Sequence, residues 1–222
     1  MSHLLHLDSS ARAGSFSRRL GAAFADAWRG GGGEVTHRDL AADPVPPIRE
    51  GWTRICDTLL REGITDIDRY SEAVRTEQER EAWAVVRPLL DELVAADVVL
   101  IGAPMYNFGV PSALKAWIDQ VTFPKMVLAP RKFVVVTAHG GAYGPGTPRE
   151  PYDHNGRYLS DFVRGHYAVE GTELIAAELV NSLVDPALAG RLDQHRESVA
   201  DALDRAGALG AELVGHRIPR EG

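Results

Sequence analysis

Residues 97–109 read Asp97-Val-Val-Leu-Ile-Gly-Ala-Pro-Met-Tyr-Asn-Phe-Gly109, and this stretch decides the fold. Its first half, 97–102, is a short continuous apolar run, the pattern of a parallel strand buried on both faces. Ser112-Ala-Leu-Lys-Ala-Trp-Ile-Asp-Gln-Val121 follows with helical character. A loop between such a strand and such a helix lies at the strand's carboxyl end, where open α/β sheets hold their ligands. Residues 103–109 suit a flat aromatic guest. Pro104 stiffens the backbone, Met105, Tyr106 and Phe108 offer apolar faces, and Asn107 offers an amide.

On both sides the chain alternates between strand-like and helix-like segments. His3 to Leu7 is a short apolar run ending at Asp8-Ser9-Ser10. Phe16 to Trp28 has helical spacing, with Leu20, Phe24 and Ala27 on one face, and Gly30 to Gly33 stops it. Glu34 to Leu40 is a weaker strand. Ala42-Asp-Pro-Val-Pro-Pro-Ile48 cannot stay helical, and Trp52 to Tyr70 reads as a partly helical excursion whose Trp52 and Tyr70 either lid the site or anchor the segment. Glu77 to Ala96 is a long helix, with Pro88 kinking it or opening its second half, and Glu77, Glu79 and Glu81 read as a solvated face. Lys132-Phe-Val-Val-Val-Thr137 is a second β-branched strand; a helix over 157–167, a strand over 173–178 and a helix from Pro186 to about Val214 complete the series.

Strands alternating with helices imply an α/β doubly wound parallel sheet with right-handed crossovers. Five strands, with ligand-like loops after the first and third, point to the flavodoxin-like order 2-1-3-4-5. Strands one and three are then neighbours from which the chain departs in opposite directions, and their carboxyl ends open a crevice between 8–17 and 103–109. The expected organisation is a single domain over 1–222 with an excursion at about 41–76.

Bulk properties agree. The chain has 222 residues, 45% apolar and 25% charged, which is ordinary for one globular domain with a real core. A net charge of −7 without basic runs makes nucleic acid and anionic membranes poor partners. No apolar stretch reaches spanning length and the N-terminus is no signal peptide, so a cytoplasmic location is expected. Cys56 is the single cysteine, which rules out an intrachain disulfide. His3 and His6 flank a strand without acidic partners at metal-ligand spacing, and His154, His166 and His195 are scattered, so no metal site is expected.

The first loop, Asp8-Ser-Ser-Ala-Arg-Ala-Gly-Ser-Phe-Ser17, has the chemistry of a phosphate cradle. Amides at a helix N-terminus carry partial positive charge, and serine hydroxyls add adaptable donors. Ser15 or Ser17 as a simple N-cap is the other reading, but four serines in the nine positions 9–17 exceed what one cap uses. Neither a P-loop nor a G-x-G-x-x-G fingerprint is present, which favours a monophosphate over a nucleoside triphosphate or dinucleotide.

Residues Ala103–Phe108 resemble the isoalloxazine-binding loop of the FMN-dependent azoreductase and quinone reductase family. Ser9-Ser10 followed by Ser15-Phe16-Ser17 is similar to that family's phosphate loop, and Gly140-Gly141 matches its glycine pair after strand four. The resemblance covers most of residues 3–180. It implies FMN, with Ser10, Ser15, Phe16 and Ser17 on the ribityl phosphate and Met105, Tyr106, Asn107, Phe108, Ala138, His139, Gly140 and Gly141 along the ring. Two departures stand out. Ala138-His139 replaces the Ser-Arg of well-known members, and the segment between Val121 and Arg131 is shorter than the family's substrate-side excursion. The turn-rich 142–156 is expected to rim the pocket instead.

The resemblance implies NADH or NADPH as electron donor and reduction of quinones or aromatic azo compounds by ping-pong two-electron transfer. The flavin carries the chemistry, so no catalytic side chain is expected; His139 is the candidate electronic tuner. A flavodoxin-like electron carrier serving a protein partner, or a flavin-less interaction module, are the alternatives. The resemblance also implies a homodimer. Leu114, Trp117, Ile118 and Val121, with the helix over 77–96, are the expected isologous interface, unless they cover the sheet.

Overall fold

The computed structural model describes residues 1–218; residues 219–222 of the expected domain lie outside that range. In chain order the elements are β1 (His3–Asp8), α1 (Phe16–Gly30), β2 (Glu34–Asp39), α2 (Glu50–Glu62), α3 (Glu77–Ala95) and β3 (Val98–Gly102). There follow α4 (Ser112–Val121), β4 (Lys132–Ala138), α5 (His154–Tyr167), β5 (Glu173–Ala177) and α6 (Leu192–Leu213). All strand pairs are parallel and the sheet order is β2-β1-β3-β4-β5, the order expected from the loops.

Side-chain alternation splits the apolar interior in two. Leu4, Val98, Leu100, Val134, Val136 and Ile175 face α1 and α6 and join Leu20, Phe24, Trp28, Val199, Ala202 and Ala206. Leu5, Leu7, Val99, Ile101, Phe133 and Val135 face the other way, toward α2 to α5. Every residue of β3 is buried, each large aliphatic contributing about 1.5–3 kcal/mol relative to exposure. The edge strand β2 has only partly buried and exposed residues, which explains its weak sequence pattern.

Several expectations are corrected by packing. Leu114, Trp117, Ile118 and Val121 are at most 2% exposed, so they cover the sheet and are not an interface. The excursion is part of the core: Ile55, Leu59, Ile64, Tyr70 and Ala73 are buried in it. Trp52 donates to the Gln120 carbonyl at 3.0 Å and Tyr70 packs on Phe123, so both anchor the segment rather than lid the crevice. Glu79 is not on a solvated face. It is buried and accepts from the amides of Arg75 and Thr76, both at 2.7 Å, and with Thr76 it forms a capping box. Those amide bonds, Thr76's first, hold its carboxyl below the usual range. α3 runs unbroken through Pro88. α5 begins at His154, before the expected Arg157, because Asp153 caps it through the Gly156 amide at 2.9 Å. The last helix begins at Leu192, after a 3-10 segment over Pro186–Arg191.

Parallel register sets His6 of β1 beside His37 of β2, with Asp8 two residues further on. His6 Nε2 lies 3.7 Å from Asp8 Oδ1, so, contrary to the expectation, His6 has an acidic neighbour, two residues along its own strand.

Candidate functional site

A cleft of about 530 Å³ opens at the carboxyl ends of β1, β3 and β4. Of the residues expected on the cofactor, all but Ser17 and Gly141 line it: Ser10, Ser15, Phe16, Met105, Tyr106, Asn107, Phe108, Ala138, His139 and Gly140. A larger groove of about 700 Å³ lies between α4 and α5, lined by Trp52, Lys115, Tyr158 and Phe162 among others. It is more open and gathers none of the loops after β1, β3 and β4, so chemistry rather than size picks the smaller cleft.

The first wall is the β1–α1 loop. Ser15 is the N-cap of α1, its hydroxyl accepting from the Arg18 amide at 3.3 Å and lying 3.1 Å from Ser17 Oγ. Ser15 therefore caps the helix and also faces the cleft. Ser17 is fully buried behind it. The amides of Phe16 and Ser17, in the first turn, have no intrahelical acceptor. Arg12, exposed on the same wall, makes no salt bridge among the described residues and adds a cation that motif reading passed over. Arg18 braces the loop from behind. Its Nη2 donates to the Ser10 carbonyl at 2.9 Å and to Asp39 Oδ1 at 2.8 Å, while Nη1 sits 3.3 Å from Asp8 Oδ2. The Arg18 hydrogen bond holds the Asp39 carboxyl down to about 2.

The second wall follows β3. The amides of Ala103 and Met105 continue the sheet, donating to the Val136 and Ala138 carbonyls at 2.9 and 3.1 Å. Tyr106 and Gly109 then exchange two backbone hydrogen bonds of 3.0 Å around a tight turn. Its central residues, Asn107 and Phe108, have φ of +50° and +69°, the left-handed region that a bulky side chain enters only at a cost of about 1–3 kcal/mol. This strained turn holds Phe108 half exposed at the cleft mouth. Tyr106 joins the two walls: its hydroxyl accepts from the Ala11 amide at 3.2 Å and lies 3.3 Å from Ser10 Oγ.

The third wall follows β4. His139 is 2% exposed, and neither ring nitrogen has a hydrogen-bond partner among the described residues. Nδ1 is 3.6 Å from Glu178 Oε1, ion-pair range but longer than a hydrogen bond. Burial raises the Glu178 carboxyl, but the neighbouring His139 ring and the Tyr143 amide outweigh it and leave the group below its usual range. The glycine pair is not bare toward the cleft. A Cβ on Gly140 would stand 2.7 Å from Asn181 Nδ2, and one on Gly141 would stand 3.2 Å from Arg149.

Asn181, Leu183 and Val184, after β5, also line the cleft and were not legible in the sequence. They are brought there by backbone bonds from Leu179, Val180 and Asn181 to the carbonyls of Gly141, His139 and Gly140, each 3.0 Å. From the turn-rich 142–156, Tyr143 lines the cleft, and Tyr152 stacks toward Phe108 at 5.7 Å between ring centroids. Exposed Phe108, Tyr152, Leu183 and Val184 give the mouth an apolar rim. The arrangement offers anion-binding donors at one end, apolar and aromatic surface in the middle, and a buried imidazole backed by Glu178 at the far wall.

A family described as having the flavodoxin-like fold matches residues 2–201. An FMN-dependent NADH:quinone oxidoreductase of Nocardia farcinica is 58% identical over 214 residues, covering 96% of this chain and 99% of its own. One from a Parafrankia species is 38% identical, covering 94% of this chain and all of its own. Among solved structures, an FMN-dependent NADH-azoreductase from Bacillus anthracis in complex with FMN superposes with a TM-score of 0.74 at 17% identity. It matches 97% of this chain and 100% of its own. An NAD(P)H:quinone oxidoreductase from Methanothermobacter marburgensis gives 0.61 at 19% identity, over 99% of this chain and 100% of its own. At such identities the structural likeness concerns the fold.

Proposed function

The chain belongs to the flavodoxin-like family that includes these quinone oxidoreductases, and on that premise we propose that it is an FMN-dependent NADH:quinone oxidoreductase. The observation that carries the reading is the meeting, in one cleft, of an amide-rich helix terminus, an aromatic loop and a buried imidazole whose nitrogens have no hydrogen-bond partner among the described residues. The residues fit a flavin monophosphate. Free amides of the first turn of α1, the hydroxyls of Ser10 and Ser15, and Arg12 suit a phosphate. Met105, Tyr106, Phe108 and the backbone at 138–140 suit a planar ring, and the buried His139 nitrogens are open to a polar edge.

Bound there, FMN would supply the two-electron redox chemistry between NADH and a quinone. The protein's own work is to position and to shield. The strained turn holds Phe108 at the mouth, and the apolar rim receives a flat aromatic acceptor, of which quinones and azo dyes are both examples. Glu178 stands behind the buried His139 ring, at the wall where a polar edge of the flavin would lie. His139 is an electronic tuner rather than a proton donor that the reaction requires. The reading also puts the chain in the cytoplasm, where NADH is made and the buried Cys56 stays reduced; among the described residues no helix is long and apolar enough to cross a membrane.

The test is direct. Purified protein is expected to be yellow, to release about one FMN and no FAD per chain on heating, and to oxidise NADH with benzoquinone or menadione at an ordinary turnover of about 1–10³ s⁻¹. A colourless protein that refuses added FMN would overturn the reading, and a flavin-loaded protein inert toward quinones would make it a carrier.

A homodimer is part of the same proposal. Since the expected residues of α4 are buried, the surface that supports it is the open groove where Ile48, Trp52, Tyr158 and Phe162 come together. Light scattering at micromolar concentration should return twice the 24.1 kDa chain mass. A monomer there, or a dimer that survives Tyr158→Glu with Phe162→Glu, would count against this surface.

A further inference from the structure

We propose that the ends of β1 and β2 form a site for one divalent transition-metal cation of the zinc class, held by His6, Asp8 and His37. None of the three lines the cleft, although Asp8 shares Arg18 with the β1–α1 loop behind the first wall. One ligand atom from each of the three side chains lies within 4.8 Å of the others. Asp8 Oδ2 is 2.9 Å from His37 Nε2, and Asp8 Oδ1 is 3.7 Å from His6 Nε2. A tetrahedral zinc with ligands at about 2.0–2.1 Å keeps its donor atoms about 3.3–3.4 Å apart, so side-chain adjustments of up to about 1.5 Å suffice.

Two unsatisfied atoms point to a ligand rather than to simple packing. His6 Nε2 and Asp8 Oδ1 are buried and face each other, and neither has a hydrogen-bond partner among the described residues. The two residues are only 4% and 5% exposed. Native proteins seldom leave such atoms bare. Nor does a side chain block them. Position 21 is glycine, where a Cβ would stand 2.5 Å from His6 Nε2, and position 102 is glycine, where one would stand 2.8 Å from Asp8 Oδ1.

The charge balance admits a cation. Arg18 approaches Asp8 Oδ2 at 3.3 Å and Asp39 Oδ2 at 2.8 Å, so two carboxylates share one guanidinium and leave one net negative charge. Two imidazoles and a carboxylate suit zinc, nickel or copper rather than magnesium or calcium, which prefer all-oxygen sets. The His37 side chain is 44% exposed, which gives an entry path and leaves room for water in a fourth position.

The experiment uses the flavin-loaded protein, stripped with EDTA and titrated with Zn²⁺ alone by calorimetry at mildly alkaline pH. Co²⁺ absorption in the visible reports coordination geometry. One saturating equivalent per chain and a tetrahedral Co²⁺ spectrum are expected. His37→Gln, at a half-exposed position that should fold normally, should weaken binding at least tenfold. His154→Gln, a surface histidine elsewhere, should leave it unchanged. Absence of saturable binding, or equal affinity in His37→Gln, would overturn the site and assign the gap between His6 and Asp8 to water.

Discussion

Ser15→Asp should yield a folded protein that no longer holds flavin. Aspartate caps helices as well as serine does, and α1 has no acidic residue in its first turn, so a carboxylate there gains about 0.3–1 kcal/mol from the helix dipole. Capping alone therefore leaves stability unchanged or slightly higher. Ser15 also faces the cleft, where the new carboxylate would take the donors a phosphate needs and repel its charge. At an effective dielectric of about 20, two unit charges at 4 Å repel by about 4 kcal/mol. With about 1.4 kcal/mol per tenfold, FMN affinity should fall at least about 100-fold. Flavin titration beside circular dichroism and a melting curve separates the effects. A yellow variant retaining one FMN would place the phosphate elsewhere. Ser17→Asp is a poorer probe, because Ser17 is completely buried and an unpaired carboxylate there would threaten the fold itself.

Two glycines one turn apart in α6 should respond with opposite signs. A Cβ on Gly210 would stand 2.4 Å from the Phe24 carbonyl oxygen and 3.1 Å from its carbon, backbone atoms of α1 that cannot rotate away. Gly210→Ala must push the helices apart and open the layer holding Phe24, Trp28 and Ala206. Overpacking of this kind costs about 1–3 kcal/mol or more, and with both helix backbones rigid we expect a net loss of about 2 kcal/mol after the gain in helix propensity. That lowers Tm by about 4–8 °C for a chain of this size. Gly207 has nothing within 4 Å of the same virtual atom, so Gly207→Ala should keep the propensity gain and raise Tm by about 2–4 °C. Calorimetric melts of both variants decide it; matching signs would show that α1 and α6 are not in backbone contact.

The sequence displayed the parts of the fold that one element dictates alone. β3 and β4 are buried on both faces and so are continuous apolar runs, whereas β2, an edge strand with no fully buried residue, is faint for the same reason. Turn chemistry and serine density exposed two walls of the cleft. What stayed hidden depends on partners distant in sequence. Asn181, Leu183 and Val184 reach the cleft only because their backbone pairs with 139–141, and nothing periodic marks them. Apolar spacing identified Leu114 and Trp117 as a face, but could not say whether the sheet or another subunit covers it. Asp8 and His37 meet through strand register across 29 positions. The capping box at Thr76-x-x-Glu79 has a local signature, but Glu77 and Glu81 beside it give the segment the look of a charged stripe.

The division of the interior by the sheet has a consequence for how such a chain can vary over evolutionary time. The layer under α1 and α6 and the layer under α2 to α5 share no side chain, so substitutions on opposite sides touch no common neighbour and their effects on stability add. Each layer can then drift through its own series of compensating exchanges without epistasis from the other. The strand backbones are common property, and their carboxyl ends build the cleft, so it is there that two otherwise independent histories are obliged to agree.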